Sequence, residues 1–270
     1  MTTVFVTGAG RGVGRATAEA FADRDTNLLL LDRCADVEDC PYTLATEADL
    51  EETAARCRSK GARVLVAKAD VRDRAQVEEA ARRCRQELGP VDVLVNNAGI
   101  VGPAAVPAHE LEEEQWSVML DVDLTGPWRC AKAVLPDMIA RRNGAIVNIA
   151  STAGLVAFPH FANYVAAKHG LIGLTRALAL DYAPYRIRVN AVAPTSIRDE
   201  PSLASGMLVG VAAMLGLGEE DYEALSLPHH PLGSLVAAAD VAAAVTWLAS
   251  DAAARITGAV LPVDAGYSIR

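Results

Sequence analysis

The chain has 270 residues, of which 51% are hydrophobic and 22% are charged. This composition is ordinary for a globular protein and excludes an intrinsically disordered one. Its 25 Lys and Arg against 34 Asp and Glu give a net charge of −9, which argues against nucleic acid and anionic membranes as partners, because both need a cationic surface. No apolar run approaches the ~20 residues that span a bilayer. No basic segment precedes a long apolar core at the N-terminus, so we expect a cytoplasmic protein.

Short apolar runs alternate with helical patterns along the chain. Strands are predicted at 4–6, 28–31, 63–67, 91–95, 145–149, 187–191 and 260–263, with helices between them, such as 13–21 and 74–87. Continuous apolar runs fit strands that are buried on both faces, and their alternation with helices gives right-handed βαβ units. The sequence therefore predicts an α/β fold, a doubly wound parallel sheet with helices on both faces, in a single domain over 1–270.

Two long segments interrupt this alternation. Residues 33–47 are long for a connection between a strand and its helix, and they are predicted to form an inserted loop. Residues 195–231 are longer and rich in Gly, Met and Leu. Long segments in compact domains are often binding loops, so the second segment is predicted to be a mobile substrate lid.

A glycine-rich turn follows the first predicted strand and opens the first predicted helix. It has the pattern Gly-x-Gly-x-Gly-x-Gly over residues 8–14. Glycines let backbone N–H groups approach a pyrophosphate, which then rests on a helix N-terminus, so this context favours a dinucleotide site over a merely structural turn. The cofactor contacts predicted here are Gly8, Arg11, Gly12, Val13 and Gly14.

Asp32 ends the second predicted strand, 18 residues after Gly14. A carboxylate at this point accepts hydrogen bonds from ribose hydroxyls and repels a 2′-phosphate, which favours NAD over NADP. Arg33 is the opposing signal, because an arginine there can bind a 2′-phosphate. Asp70 and Val71, at the end of the third predicted strand, are assigned to the edge of the adenine. Asp70 alternatively caps the next helix, and the two roles are compatible.

Three residues form the predicted catalytic group. Ser151 follows the fifth predicted strand, and Tyr164 and Lys168 share one face of the next helix. Ionising a tyrosine with a pKa near 10 at pH 7 costs about 4 kcal/mol. The Lys168 ammonium and a positive nicotinamide favour the phenolate, which can take the proton of an alcohol while the nicotinamide takes the hydride. Ser151 would hydrogen-bond the same substrate oxygen.

Together these residues resemble the short-chain dehydrogenase/reductase family over essentially the whole chain. The likeness also includes Asn96-Asn97-Ala98-Gly99 and residues 256–264. It implies a Rossmann fold, Tyr164 as acid/base, Lys168 on the nicotinamide ribose, and a homotetramer. It places Asn97, Ala98 and Gly99 on the adenosine ribose. The inserted loop is similar to that of mycofactocin-coupled, carveol-dehydrogenase-like oxidoreductases, which implies tightly held NAD(H) and an external redox carrier.

Asp123 departs from the family pattern, which has asparagine at this position. In the family, the main-chain carbonyl of that residue holds a water of a proton relay to the lysine. The aspartate keeps the carbonyl and adds a negative charge near Lys168 if the helix points it inward, so Asp123 joins the candidate catalytic residues. Because Pro127 has no N–H, we hypothesise that it frees the Asp123 carbonyl for this water; alternatively, Pro127 only bends the helix.

A second departure follows the sixth predicted strand. Pro194-Thr195 replaces the Pro-Gly of the family, and Asp199 replaces a threonine that contacts the nicotinamide carboxamide. This leaves the side chain of Thr195 or Ser196, or the Ile197 backbone, for that contact. Pro194, Thr195 and Ile197 are therefore predicted cofactor residues.

The substrate pocket is assigned to the apolar lid, with Met207, and to Phe158 and His160, which precede Tyr164. An apolar, methionine-containing lid suits a hydrophobic alcohol or ketone. The alternatives are a core-packing helix for the lid and a polar loop residue for His160. The pair at 229–230 has no partners at ligand spacing, so no metal is expected.

The leading hypothesis is an NAD-dependent enzyme that interconverts a secondary alcohol and a ketone, with a terpenoid-like substrate. An NADPH-dependent 3-oxoacyl or polyketide ketoreductase is the alternative. Asp32 and the charge of −9 disfavour it, because such enzymes often dock an acidic carrier protein. The third interpretation, a non-catalytic dinucleotide-binding module, is disfavoured by the complete set of Ser151, Tyr164 and Lys168.

Overall fold

The computed structural model describes residues 1–38, 40–198 and 206–269, so Asp199 and part of the predicted lid lie outside the described residues. Within these ranges, seven parallel strands form one sheet in the order β3-β2-β1-β4-β5-β6-β7. The strands are β1 Thr2–Thr7, β2 Thr26–Asp32, β3 Arg63–Lys68, β4 Val93–Asn96, β5 Gly144–Ile149, β6 Ile187–Pro194 and β7 Val260–Val263. The strand order reverses between β1 and β4, and this point of an open α/β sheet forms a ligand crevice.

The helices connect the strands and cover both faces of the sheet. They are α1 Gly12–Phe21, α2 Glu47–Ser59, α3 Arg74–Glu87, α4 Glu113–Leu120, α5 Gly126–Arg141, α6 Ala162–Tyr182, α7 Met207–Met214, α8 Glu219–Ser226 and α9 Ala238–Ala249. The predicted fold class, a doubly wound parallel sheet, is confirmed. β6 is longer than predicted because it pairs with β7 as far as Pro194, which brings the chain to the crevice.

Alternate side chains of the central strands enter two separate cores. Phe5 and Leu94 belong to the core under α3 and α5, together with Met138 of α5. Val4 and Val95 belong to the core on the other face, with Val245 of α9 among its members. Successive side chains of a strand point to opposite faces, so a strand covered by helices on both sides must be apolar throughout. This explains the continuous apolar runs in the sequence.

The inserted loop 33–47 lies against the described part of the lid. The Tyr42 ring packs on α7, where a Cβ at Gly210 would lie only 2.3 Å from Tyr42 Cδ1. The Arg11 guanidinium of the glycine-rich turn donates a hydrogen bond to the Thr43 carbonyl. The loop thus joins the glycine-rich turn to α7. None of the described helices combines the length and the apolarity that crossing a membrane requires.

Candidate active site

A cavity of about 490 Å³ opens at the carboxyl edge of the sheet. Every predicted site residue that the structure describes, except Gly14, lines it, from the glycine-rich turn at one end to Met207 of the lid at the other. The residues come together because parallel strands end at the same edge, where open α/β sheets bind their ligands.

Gly14 lies behind the glycine-rich turn rather than on the cavity wall. A Cβ there would lie 1.9 Å from the Gly8 carbonyl oxygen and 2.6 Å from Asn97 Nδ2. No neighbour can yield that much, because the nearest atom belongs to the backbone. This glycine therefore lets α1 pack against the turn, and its predicted cofactor contact stays a prediction.

The N-terminus of α1 faces the cavity, and among the described residues no side chain caps it. Gly12 and Val13 line the cavity, and no side chain caps the helix at Arg11. The first turn of α1 also contains no acidic residue. The first N–H groups of a helix have no partner within the helix, and the helix dipole favours an anion at this end. This donor set fits the pyrophosphate of a dinucleotide.

Asp32 is held by the backbone at the edge of the cavity. Its Oδ2 accepts a hydrogen bond from Gly10 N at 2.9 Å, and its Oδ1 accepts one from Cys34 N at 3.1 Å. Burial raises the pKa of the Asp32 carboxyl, and these hydrogen bonds and the Arg11 charge oppose that rise. Each oxygen has a further lone pair for a ribose hydroxyl.

Arg33 is engaged within the protein. Its Nε lies 3.0 Å from Asp70 Oδ2, and its guanidinium donates to the Asp36 carbonyl. Asp70 also pairs with Arg72 at 2.7 Å. Asp73, not Asp70, caps α3, since its Oδ1 accepts from the N–H of the second helical residue. The capping alternative for Asp70 is therefore wrong, because the helix begins three residues later than that alternative requires.

Hydrogen bonds join the end of β4 to the glycine-rich turn. Asn97 Nδ2 donates to the carbonyls of Thr7 and Gly8 at 2.9 and 3.0 Å. The Thr7 hydroxyl oxygen accepts from the backbone N–H groups of Asn97 and Ala98, both at 3.0 Å. The Asn97 side chain thus joins β4 to the glycine-rich turn. These bonds hold Asn97, Ala98 and Gly99 on the cavity wall beside the turn.

Ser151, Tyr164 and Lys168 meet in the cavity. The Ser151 hydroxyl hydrogen-bonds Tyr164, and Lys168 Nζ lies 5.5 Å from the centroid of the Tyr164 ring. Burial raises the pKa of Tyr164 overall, while the Lys168 ammonium and the Ser151 hydrogen bond lower it. Lys168 therefore acts on the tyrosine in the predicted direction, but burial outweighs it in the protein alone.

Asp123 points inward and pairs with Lys168. Its Oδ2 lies 3.0 Å from Lys168 Nζ, which also donates to the Ile149 carbonyl at 3.1 Å. Asp123 Oδ1 accepts from Ile100 N at 2.9 Å. Burial lowers the pKa of Lys168, but the Asp123 and Tyr164 charges outweigh it and the pKa is raised. Burial raises the pKa of Asp123, opposed by Lys168 and the Ile100 N–H.

Asp123 lies in a π-helical segment, Asp121–Thr125, between α4 and α5. Here Gly126 N–H bonds to the Asp121 carbonyl, five residues back rather than four. The hypothesis about Pro127 assumed that each N–H bonds the carbonyl four residues back, and this spacing does not hold throughout the segment. A free Asp123 carbonyl therefore remains a prediction. π-segments inside α-helices are frequent at functional sites.

Several cavity residues were missed by the sequence reasoning. Tyr42 of the inserted loop accepts a hydrogen bond from Val101 N at 3.1 Å. The Tyr267 ring stacks on Phe158 with their centroids 5.8 Å apart, and the Tyr222 hydroxyl lies 3.1 Å from Ser196 Oγ. These tyrosines come from irregular or short segments without hydrophobic periodicity, so no local signal identified them.

Thr195 and His230 are neighbours at the end of β6. Thr195 Oγ1 lies 3.3 Å from His230 Nε2. The sequence reasoning considered this histidine only as a metal ligand. Across the ranges that the structure describes, no group of three or more His, Cys, Asp or Glu side chains is arranged to hold a metal ion.

Comparison with known proteins extends over nearly the whole chain. A family model described as Enoyl-(Acyl carrier protein) reductase matches residues 8–268. (-)-trans-Carveol dehydrogenase of Rhodococcus erythropolis is 37% identical over 98% of this chain and 96% of that protein. Cis-4-hydroxycyclohexanecarboxylate dehydrogenase of Sinomonas cyclohexanicum is 39% identical over 97% and 95%.

Solved structures agree with this relationship. Carveol dehydrogenase from Mycobacterium avium in complex with NAD is 35% identical, with a TM-score of 0.94 over 100% of this chain and 98% of that one. A short-chain type dehydrogenase/reductase from Mycobacterium marinum is 26% identical, with a TM-score of 0.85 over 100% and 96%. The chain described here belongs to the short-chain dehydrogenase/reductase family.

Proposed function

We propose that this protein is an NAD-dependent oxidoreductase that interconverts a secondary alcohol and a ketone. The observation that carries the proposal is the convergence of Ser151, Tyr164 and Lys168 in a cavity that also contains the uncapped N-terminus of α1. The similarity to the carveol and cis-4-hydroxycyclohexanecarboxylate dehydrogenases supports the same reaction class.

The cavity residues fit a dinucleotide along its length. The N–H groups of Gly12 and Val13 would hold the pyrophosphate, with Arg11 beside them, and Asp32 would accept from the adenosine ribose. Lys168 would bind the nicotinamide ribose. When bound, NAD supplies the hydride acceptor and a positively charged ring. The remaining residues proposed to contact it are Gly8, Arg33, Asp70, Val71, Asn97, Ala98, Gly99, Tyr164, Pro194, Thr195 and Ile197.

Tyr164 is the proton acceptor of alcohol oxidation in this proposal. Its phenolate takes the hydroxyl proton, and Ser151, already hydrogen-bonded to Tyr164, orients the substrate oxygen. Lys168 contributes its positive charge, which lowers the pKa of Tyr164 against the effect of burial. The positive nicotinamide acts in the same direction.

The engagement of Arg33 supports NAD over NADP. The guanidinium is paired with Asp70 and the Asp36 carbonyl, so binding a 2′-phosphate would require it to leave both. The Asp32 carboxylate beside it would repel that phosphate. Both features weigh against the ketoreductase alternative, which would use NADPH.

The substrate is proposed to be an apolar, terpenoid-like alcohol or ketone. Met207 of α7 and the stacked rings of Phe158 and Tyr267 line the substrate end of the cavity. His160 lies beside them on the cavity wall. A mostly apolar wall with few polar groups favours a hydrophobic molecule whose single oxygen is oriented at one point.

The cofactor is proposed to stay bound, and its electrons to pass to an external redox carrier. The inserted loop supports this because it joins the glycine-rich turn, through Arg11 and Thr43, to α7, through Tyr42 and Gly210. A cofactor held under these contacts would leave only after they separate. Stoichiometric NAD(H) in the desalted and then denatured protein would support retention; an empty protein that binds added NAD would contradict it.

A homotetramer is proposed from the family and supported by exposed aromatic side chains. Trp116 of α4 and Trp128 of α5 are 39% and 42% exposed. Large exposed apolar groups are common at protein interfaces. Light scattering after size-exclusion chromatography tests this, and a monomer at micromolar concentration would contradict it.

The catalytic proposal is tested by Tyr164→Phe, with Tyr222→Phe as the matched control in the same cavity. We expect Tyr164→Phe to lower kcat by about 10²–10⁴-fold, the usual contribution of a general acid or base. Binding of NADH should change much less than kcat, because Tyr164 is only one of many proposed cofactor contacts. Tyr222→Phe should retain activity within about threefold, since its hydroxyl contributes a single hydrogen bond.

The assay would use apolar secondary alcohols with NAD, NADP and an artificial electron acceptor side by side. Wild-type turnover that Tyr164→Phe abolishes supports the enzyme. Dinucleotide binding without turnover of any alcohol or ketone would instead favour the non-catalytic module, and a preference for NADP would favour the ketoreductase.

A further inference from the structure

His230 is a buried histidine with both ring nitrogens engaged. It is 2% exposed and follows the short turn that ends α8. Its Nδ1 lies 2.9 Å from the Ser226 carbonyl oxygen, and its Nε2 lies 3.3 Å from Thr195 Oγ1. The Tyr267 ring packs on it, with centroids 5.2 Å apart. Buried polar groups are costly to leave unpaired, so this arrangement has a defined hydrogen-bond direction.

The direction follows from the Ser226 carbonyl. A carbonyl oxygen only accepts, so Nδ1 carries a proton and donates it to Ser226. In the neutral ring Nε2 is then an acceptor, and Thr195 must donate its hydroxyl proton to it. A hydroxyl has one proton and two lone pairs, so the Thr195 oxygen presents only lone pairs to the cavity.

Thr195 lines the cavity that holds the catalytic residues. It directly follows β6, whose neighbour β5 leads to Ser151, and Ala150 N donates to the Val192 carbonyl at 2.8 Å. Thr195, Ser151 and Tyr164 line the same cavity. A nicotinamide bound to react beside Tyr164 would have the end of β6, with Thr195, within the same cavity to receive its carboxamide.

We infer that His230 is a positioning residue that fixes the Thr195 hydroxyl as an acceptor for the amide N–H of the nicotinamide carboxamide. The inference rests on the proposed use of NAD. It explains how Thr195 can supply the carboxamide contact that, in the family, comes from a threonine at the position of Asp199. The chemical consequence is selectivity for a carboxamide, which donates N–H, over a methyl ketone of the same shape, which does not.

The test compares the binding of NADH with that of its reduced 3-acetylpyridine analogue, in which methyl replaces the amide nitrogen. Dissociation constants are measured by fluorescence or calorimetry for wild type, His230→Phe, His230→Gln and Thr195→Val. We expect wild type to prefer NADH by about fivefold or more, which is the net contribution of one hydrogen bond. His230→Phe and Thr195→Val should each bring the ratio of the two dissociation constants to near one. The double variant that carries both substitutions should show the same ratio as the single variants, because both remove one interaction.

His230→Gln provides the rescue, because an amide oxygen can accept the same Thr195 proton. It should keep more of the preference than His230→Phe. Thr195→Val removes the hydroxyl with little change of side-chain volume and keeps His230 in place, so it tests the inference even where a His230 variant does not fold.

Two outcomes would overturn the inference. One is a wild type that binds NADH and the analogue equally. The other is a His230→Phe variant that weakens both equally and so keeps the preference, which is the result expected of a purely structural histidine. Failure of the wild type to bind either dinucleotide is a different result, since it would contradict the proposed cofactor itself.

Discussion

Asp123 Oδ2 of the π-segment lies 3.0 Å from Lys168 Nζ of α6, the helix that also carries Tyr164. Both side chains are buried, at 1% and 5% exposure. A buried ammonium without a counter-ion is costly, so the carboxylate stabilises the charged lysine. The same carboxylate raises the pKa of Tyr164, because its negative charge disfavours the phenolate. The pair therefore has two opposite effects on the catalytic tyrosine.

Replacing Asp123 with asparagine should separate these effects. The amide side chain would keep an oxygen for the Ile100 N–H but lose the charge, so the pKa of Tyr164 should fall while Lys168 keeps its own charge. Alcohol oxidation requires the phenolate, so the ascending limb of kcat/KM against pH should move to lower pH. Asp121→Asn is the control, since Asp121 lies in the same π-segment but pairs with Arg129 at 3.4 Å. An unchanged profile in Asp123→Asn would show that the carboxylate has no net electrostatic effect on Tyr164.

Asp32→Asn should weaken discrimination between the two nicotinamide cofactors. The amide keeps one acceptor for the backbone at Gly10 or Cys34 but removes the charge that repels a 2′-phosphate. We expect the NAD-to-NADP ratio of kcat/KM to fall by about tenfold, or ~1.4 kcal/mol. Asp36→Asn is the matched control, because that carboxylate bonds Leu44 N in the same loop. A ratio that stays constant in Asp32→Asn would show that shape alone selects the cofactor.

The fold and most of the candidate site follow from local sequence patterns. Buried parallel strands produce continuous apolar runs, so the predicted strands lie at or close to the observed ones. Parallel strands also end at one edge, which is why Asp32, Ser151 and Thr195 reach the same cavity. These relationships need only strand order and direction, and the motifs supply both.

The remaining features depend on contacts that no local pattern encodes. His230 meets Thr195 across 35 positions of sequence, and Tyr42 meets Val101 across 59. The π-segment at Asp123 adds a residue to one helical turn, so α-helical spacing from Pro127 does not by itself identify the carbonyl that loses its partner. Gly14 belongs to the same motif as Gly8 and Gly12. Only the distance from its Cβ position to the Gly8 carbonyl oxygen shows that it lets α1 pack against the turn.

Gly210→Ala should accelerate the release of bound NAD. Its Cβ would lie 2.3 Å from Tyr42 Cδ1, so α7 and the inserted loop must separate. Overpacking of this kind costs ~1–3 kcal/mol, which predicts a release rate at least about fivefold higher. Exchange of bound cofactor against labelled NAD measures the rate. Gly218→Ala is the control, because the nearest atom to its Cβ is Asp221 Oδ2 at 3.4 Å. Equal rates in the two variants would show that the loop–lid contact does not limit release.

Two glycines at α6 should respond in opposite directions to substitution by alanine: Gly173 lies within the helix, and Gly154 lies beside it. A Cβ at Gly173 meets no described atom within 4 Å, and this glycine lies inside the helix, so Gly173→Ala should raise the free energy of unfolding by about 0.5–1 kcal/mol. A Cβ at Gly154 would lie 2.8 Å from the Lys168 carbonyl oxygen. Gly154→Ala should therefore lower the free energy of unfolding by about 1–3 kcal/mol.

Denaturant unfolding at equal protein concentration measures both changes. Destabilisation by Gly173→Ala would show that another surface packs against α6 at this point in solution, for which the proposed tetramer is the first candidate. A neutral Gly154→Ala would show that the turn after Ser151 can move away from Lys168. That result would contradict the fixed geometry on which the catalytic group depends, because Ser151 and Lys168 are held on either side of this contact.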